Sequence, residues 1–134
     1  MTKIYEKSPE CCIVAIEEVP YSEISKYGVI DGEKIAGSND RFMVSGMVEK
    51  PNPEDAPSNL AIIGRYILTP EIFDVLESTA PDINGEIQIT DALISLAKKG
   101  RVIAYKFEGT RFDCGSIKGY LAVNNFFAQR DVIL

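Results

Sequence analysis

Apolar positions along the chain alternate between two rhythms. Cys11 to Val19 (CCIVAIEEV) is a β-branched run that predicts a strand, buried at its start and ended by Pro20. Tyr21 to Lys26 suffices for one helical turn. Tyr27-Gly28-Val29-Ile30 predicts a short strand, and Asp31-Gly32 a hairpin turn into Glu33-Lys34-Ile35. Phe42 to Lys50 (FMVSGMVEK) reads as another strand, stopped by Pro51. Asn52 to Ser58, with Pro53 and Pro57, reads as an exposed loop. Leu60 to Leu68 (LAIIGRYIL) is apolar but for one arginine, the pattern of a strand covered on both faces.

Helical spacing then takes over. Thr69 is placed to cap a helix with Pro70 at its first position, where a missing N–H costs nothing, and Ile72, Val75 and Leu76 share one face. Ser78 to Gly85 reads as loop. A second helix is predicted from Thr90 as its cap, with Asp91 complementing the helix dipole, Ala92, Leu93, Leu96 and Ala97 inward, and Gly100 as its stop. Arg101 to Phe107 alternates as a strand, and Ser116 opens a last helix carrying Ile117, Tyr120, Leu121 and Phe127. Lys3 to Lys7 has the pattern of a helix tail. Strands interleaved with helices predict an α/β layer fold, and residues 1–134 fit one domain or part of a larger one.

Composition narrows the chemistry. A net charge of −6 argues against nucleic acid or an anionic membrane as partner, so any phosphate bound here needs a local device. With no histidine, a Cys/His zinc site and every histidine-based mechanism are excluded. Three cysteines, Cys11, Cys12 and Cys114, make no disulfide framework; Cys11 and Cys12 read as buried strand residues. No signal peptide and no apolar run of transmembrane length is found, so the expected location is cytoplasmic.

Three places could carry chemistry. Glu49-Lys50-Pro51 ends an apolar strand with a charged pair: a carboxylate can accept from neighbouring sugar hydroxyls and an ammonium can meet a phosphate, or both are merely solvated. Asp113, in Phe112-Asp113-Cys114-Gly115, either holds Mg²⁺ or ties down the turn before Ser116. Gly28 either lets a ligand approach the backbone or serves a turn. The polar string Gly85 to Asp91 reads as structural, a loop followed by a helix cap.

The strings EEVP (17–20), KYGVI (26–30), MVEKP (47–51), APSNLAIIGRYIL (56–68), GEIQITDAL (85–93) and FDCG with GY (112–115, 119–120) stand in one order and spacing. Together they resemble the C-terminal half of bacterial UTP–glucose-1-phosphate uridylyltransferases (UDP-glucose pyrophosphorylases), in the sugar-1-phosphate nucleotidyltransferase family. The resemblance implies a partial Rossmann-like nucleotide-diphospho-sugar transferase fold, a mixed sheet with flanking helices in one partial domain over residues 1–134, whose nucleotide-binding N-terminal half is absent. It implies that Gly28 offers its N–H to a glucose hydroxyl, that Glu49 binds sugar hydroxyls and that Lys50 grips the sugar phosphate. Ile62 and Gly64 would line the sugar pocket, and Asp113 would be one of two aspartates holding the catalytic Mg²⁺. Glucose 1-phosphate, UTP and UDP-glucose are the implied ligands. Thymidylyl or adenylyl relatives, and a non-catalytic sugar-phosphate-binding module, are the alternatives.

Three structural expectations complete this reading. Neighbours on a strand face opposite ways, so for Glu49 and Lys50 to reach one ligand the strand must end or bend at Lys50, which Pro51 would hold extended. The chain alone should show no uridylyl transfer. A sheet lacking its other half should expose an edge and an apolar patch, and so form a homo-oligomer.

Overall fold

A computed structural model describes residues 1–130. In chain order it contains α1 (Thr2–Tyr5), β1 (Cys12–Glu18), β2 (Gly28–Lys34), β3 (Arg41–Glu49), β4 (Leu60–Ile67), α2 (Glu71–Ser78), α3 (Ile89–Ala97), β5 (Val102–Lys106) and α4 (Ile117–Ala128). A 3-10 turn occupies Tyr21–Lys26, where one helical turn was expected. The sheet is mixed: β1 runs parallel to β5, and every other pairing is antiparallel.

The strands follow the order β1-β4-β2-β3-β5 and close back on β1. Among the described residues, therefore, no strand presents the fully free edge expected from the sequence. The closure is uneven. β5 lies along five residues of β1, whereas β2 meets β4 only at Val29 and Ala61.

Strand β1 is central because it is apolar on both faces. Cys12, Val14 and Ile16 point into the main core with Ile30, Val44, Met47 and Val102, against Ile72 of α2 and Leu93 and Leu96 of α3. Cys11 and Ile13 pack the other way, with Ile103, under Ile4 and Tyr5. Burying a leucine such as Leu93 contributes roughly 1.5–3 kcal/mol, which is what fixes α3 on the sheet. Glu71 adds a surface clamp, meeting both Lys99 and Arg101 beyond the end of α3.

Five local expectations are corrected. Asp31-Gly32 makes no hairpin turn, for β2 runs on to Lys34 and the chain reverses only between there and Arg41. A Cβ on Gly32 would lie 2.6 Å from the Met43 carbonyl oxygen, so this glycine serves close strand approach instead. Opposite it, β3 holds one extra residue: Asp31 pairs with Gly46 but Gly32 with Val44, leaving Ser45 as a bulge.

Thr69 does not cap α2. Its hydroxyl turns inward to Cys12 Sγ at 3.5 Å, and the cap position falls on Pro70. Thr90 lies inside α3, whose cap position is Gln88. Ser116 does cap α4, accepting from the Gly119 N–H at 3.0 Å. The expected apolar stripe of α4 finds nothing to cover it, since none of the helix's residues is buried. Strand β4 likewise is buried only at Leu60 and Ala61, not on both faces throughout.

Candidate functional site

Antiparallel pairing sets Gly28 directly opposite Glu49. Side chains of an opposed pair lie on one face, so the missing Cβ of Gly28 makes room for the Glu49 carboxylate. A Cβ built there would stand 2.7 Å from Glu49 Oε2. Gly28 is buried while Glu49 is exposed, which leaves the carboxylate at the mouth of the site.

β3 ends at Glu49, and Lys50 turns sharply with φ 45°, alone in positive φ among the described non-glycine residues. The expected bend is there, but its expected cause is not, because Lys50 is left-handed rather than extended. Its N–H is still held, donating to the Tyr27 carbonyl at 3.0 Å. A left-handed L-residue costs about 1–2 kcal/mol. Replacement by glycine removes that strain at some cost in chain entropy. Lys50→Gly is therefore expected to melt a few degrees (about 2–6 °C) above Lys50→Ala in calorimetry. Equal melting temperatures would show that the turn is unstrained.

Two clefts meet at Glu49. One, of about 320 Å³, is lined by Lys26, Tyr27, Gly28, Glu49, Ile62, Gly64, Tyr66, Gln88 and Thr90. The second, of about 700 Å³, holds Lys50 beside Met47, Asp82, Glu86 and Asp91, and shares Glu49, Gln88 and Thr90 with the first. Burial, and after it the Glu49 carboxylate, pushes the Tyr66 phenol above its ordinary value, so it stays a neutral hydroxyl. The joint space offers carboxylate and amide acceptors, a phenol donor and two ammonium groups, Lys26 and Lys50. Such a set suits a polyhydroxylated ligand that carries a negative charge.

Gly28, Glu49, Lys50, Ile62 and Gly64 are thus brought together. Asp113 is not: it is exposed and lines neither cleft. Its Oδ1 accepts from the Gly115 N–H at 3.0 Å, and its carbonyl oxygen accepts from Ser116 Oγ at 3.3 Å, as in the structural reading of this turn. One link runs back to the clefts. Arg111 donates through Nε to Glu17 at 2.6 Å and through its terminal nitrogen to the Tyr27 hydroxyl at 3.1 Å. The hydrogen bond to Glu17, offset in part by burial, raises the guanidinium above its already high value. The segment carrying Asp113 is thereby tethered to the residue before Gly28.

Mg²⁺ asks little of a protein, often one or two carboxylates with phosphate and water completing the shell. Oδ1 of Asp113 has one backbone donor, and the exposed carboxylate can still offer an oxygen, so the residue fits a single-ligand contribution. Among the described residues no three acidic or cysteine side chains cluster to form a metal site unaided.

Sequence reasoning missed Tyr66, Asp82, Gln88 and Thr90 as cleft residues. Tyr66 read as one more strand aromatic. The polar string from Gly85 to Asp91 read as loop and cap, although its uncharged polar side chains were a signal that it borders a cleft.

The family model described as nucleotidyl transferase matches residues 1–130. The UTP–glucose-1-phosphate uridylyltransferase of Pseudomonas aeruginosa is 62% identical over 126 residues, covering 94% of this chain and 44% of that protein. A solved apo UDP-glucose pyrophosphorylase superposes with a TM-score of 0.89 at 55% identity, over 98% of this chain and 47% of the other. A UDP-glucose pyrophosphorylase complexed with UDP-glucose gives 0.86 at 56%, over 97% and 48%. The chain thus spans less than half the length of these relatives.

Proposed function

Because the chain belongs to the nucleotidyl transferase family, we propose that it supplies the sugar-phosphate side of a reaction joining UTP and glucose 1-phosphate into UDP-glucose and pyrophosphate. The observation that carries this reading is the Gly28–Glu49 pair, which sets a carboxylate in a cleft with the Lys50 ammonium one residue away. The relative complexed with UDP-glucose supports it.

In this mechanism an oxygen of the sugar phosphate attacks the α-phosphorus of UTP in line, and pyrophosphate leaves. Positioning and charge compensation dominate such a transfer. Glu49 accepts from adjacent sugar hydroxyls and sets the ring's orientation. Lys50 offsets the repulsion between two anions drawn into bonding range. The sugar phosphate is already ionised at neutral pH, so no general base is needed, in keeping with a chain that has no histidine. Asp113 would offer one carboxylate oxygen to a magnesium ion. When bound, that ion would offset charge building at the α-phosphate.

In the same reading the protein works in the cytoplasm; among the described residues no helix is long and apolar enough to cross a membrane. Exposed Ile117, Tyr120, Leu121 and Phe127 on α4 support assembly into a homo-oligomer.

The test is calorimetric titration of the 134-residue chain with glucose 1-phosphate, galactose 1-phosphate, glucose and inorganic phosphate. The reading requires glucose 1-phosphate to bind most tightly, and Lys50→Ala to lose the advantage that the phosphate confers over plain glucose. Indifference to the sugar, or no binding of any hexose phosphate, would refute it.

A further inference from the structure

The loop from Asp82 to Gln88 is built around one carboxylate. Asp82 Oδ1 accepts from the N–H groups of Asn84 at 2.8 Å and Glu86 at 3.0 Å, and Oδ2 accepts from Gln88 Nε2 at 2.8 Å. The Asp82 N–H closes the loop onto the Glu86 carbonyl at 2.8 Å. These donors, the Glu86 N–H foremost, hold the Asp82 carboxyl below its ordinary value. Asp82 is therefore a charged acceptor over the working range of pH.

A carboxylate cannot donate, so it dictates which end of the Gln88 amide faces it. Glu86 Oε2, 3.4 Å from the same nitrogen, enforces the same choice. The amide nitrogen is committed to the loop, and the carbonyl oxygen is left for the space that Gln88 borders. That space comprises both clefts, since Gln88 stands with Glu49 and Thr90 in the wall common to them.

We propose that Asp82 is a positioning residue that locks Gln88 as a hydrogen-bond acceptor for one hydroxyl of the bound hexose, so that the two together set which sugar is admitted. This rests on the reading of the clefts as a hexose-phosphate site. Asp82 need touch no ligand. It acts by fixing amide polarity: a hydroxyl must donate to Gln88 while others donate to Glu49, and a sugar whose hydroxyl points elsewhere leaves an acceptor unmet.

The experiment titrates the full chain with glucose 1-phosphate and its 2-, 3-, 4- and 6-deoxy analogues. In the unaltered chain, removing the hydroxyl that meets Gln88 should weaken binding about tenfold, the effect of one lost hydrogen bond. Asp82→Asn keeps an oxygen for the backbone N–H groups but turns an amide nitrogen to Gln88, which reverses the Gln88 amide. Because a hydroxyl can also accept from the reversed amide, that one penalty should vanish in Gln88→Leu and shrink in Asp82→Asn, while penalties owed to Glu49 persist. Pairing Asp82→Asn with Gln88→Glu restores a donor-to-acceptor match and a free acceptor oxygen, and should bring the penalty back. A merely structural role would weaken all analogues alike in Asp82→Asn with no rescue, and that result, a penalty surviving Gln88→Leu, or one undiminished in Asp82→Asn, overturns the proposal. If the unaltered chain binds no hexose phosphate, the site reading itself fails and takes this inference with it.

Discussion

Gly28→Ala is expected to cost the chain about a hundredfold in affinity for glucose 1-phosphate while leaving its melting temperature almost unmoved. The added methyl would stand 2.7 Å from Glu49 Oε2, 3.8 Å from the carboxyl carbon and 3.6 Å from Ile62 Cδ1. Only the first contact is forbidding, and it is with the tip of a flexible, exposed side chain. Glu49 can swing aside cheaply, so the fold survives. The carboxylate, however, leaves the position from which it can accept two hydroxyls. Each charge-assisted hydrogen bond contributes about 1.5–3 kcal/mol, which makes a hundredfold loss a conservative figure. Because both substitutions remove one interaction, Gly28→Ala and Glu49→Ala should be strongly non-additive in a double-mutant cycle. Full additivity, or unchanged affinity in Gly28→Ala, would disconnect the glycine from the carboxylate.

Gly119→Ala should melt the first turn of α4 and dislodge Asp113, against what helix propensity suggests. Alanine is favoured over glycine in a helix by about 1 kcal/mol, so an isolated helix would gain. Here the new Cβ would fall 1.8 Å from the Asp113 carbonyl oxygen and 2.8 Å from its carbon. Those are backbone atoms, and no rotamer relieves the clash. It would also fall 3.0 Å from Ser116 Oγ, the atom that caps the helix. Losing such a cap costs about 1 kcal/mol. With no residue of α4 buried, tertiary packing offers little compensation. Amide exchange across residues 117–121 should therefore lose its protection, and Mn²⁺-induced relaxation at the Asp113 amide should weaken, while the main melting transition hardly shifts. Unchanged protection of α4 would contradict the close approach.

What could be read from residues alone follows how local each determinant is. The strands β1, β3 and β4 are apolar runs that the sequence locates, although the burial read from composition fails for β4 beyond Ala61. The cap of α4 was legible because Ser116 and the Gly119 N–H lie within one turn. Thr69 and Thr90 carry the same signal and do not cap, since Thr69 was claimed by Cys12, 57 positions away. Gly32 reads as a turn residue until the Met43 carbonyl is seen beside it. The clefts themselves were legible through resemblance, which placed Gly28, Glu49, Lys50, Ile62 and Gly64. What escaped were residues whose meaning depends on distant partners, Tyr66 and Gln88 among them. Asp113 shares no cleft with the others, and the part proposed for it is supported by family likeness and by the Arg111 tether alone.

The extra residue at Ser45 decides which way Glu49 looks. Along β3 the inward side chains are Phe42 and Val44, then Met47, so the even-numbered phase gives way to the odd. Strand β2, across from it, keeps one phase throughout, with Ile30 beside Met47 and Gly32 beside Val44. An uninterrupted ladder would carry even positions inward to the end and place Val48 over Gly28, with the acid on the opposite surface. The bulge thus absorbs one residue: deleting Ser45 would leave Glu49 opposite Gly28 in a regular ladder, whereas keeping Ser45 without the bulge would set the Val48 hydrocarbon there in place of the acid.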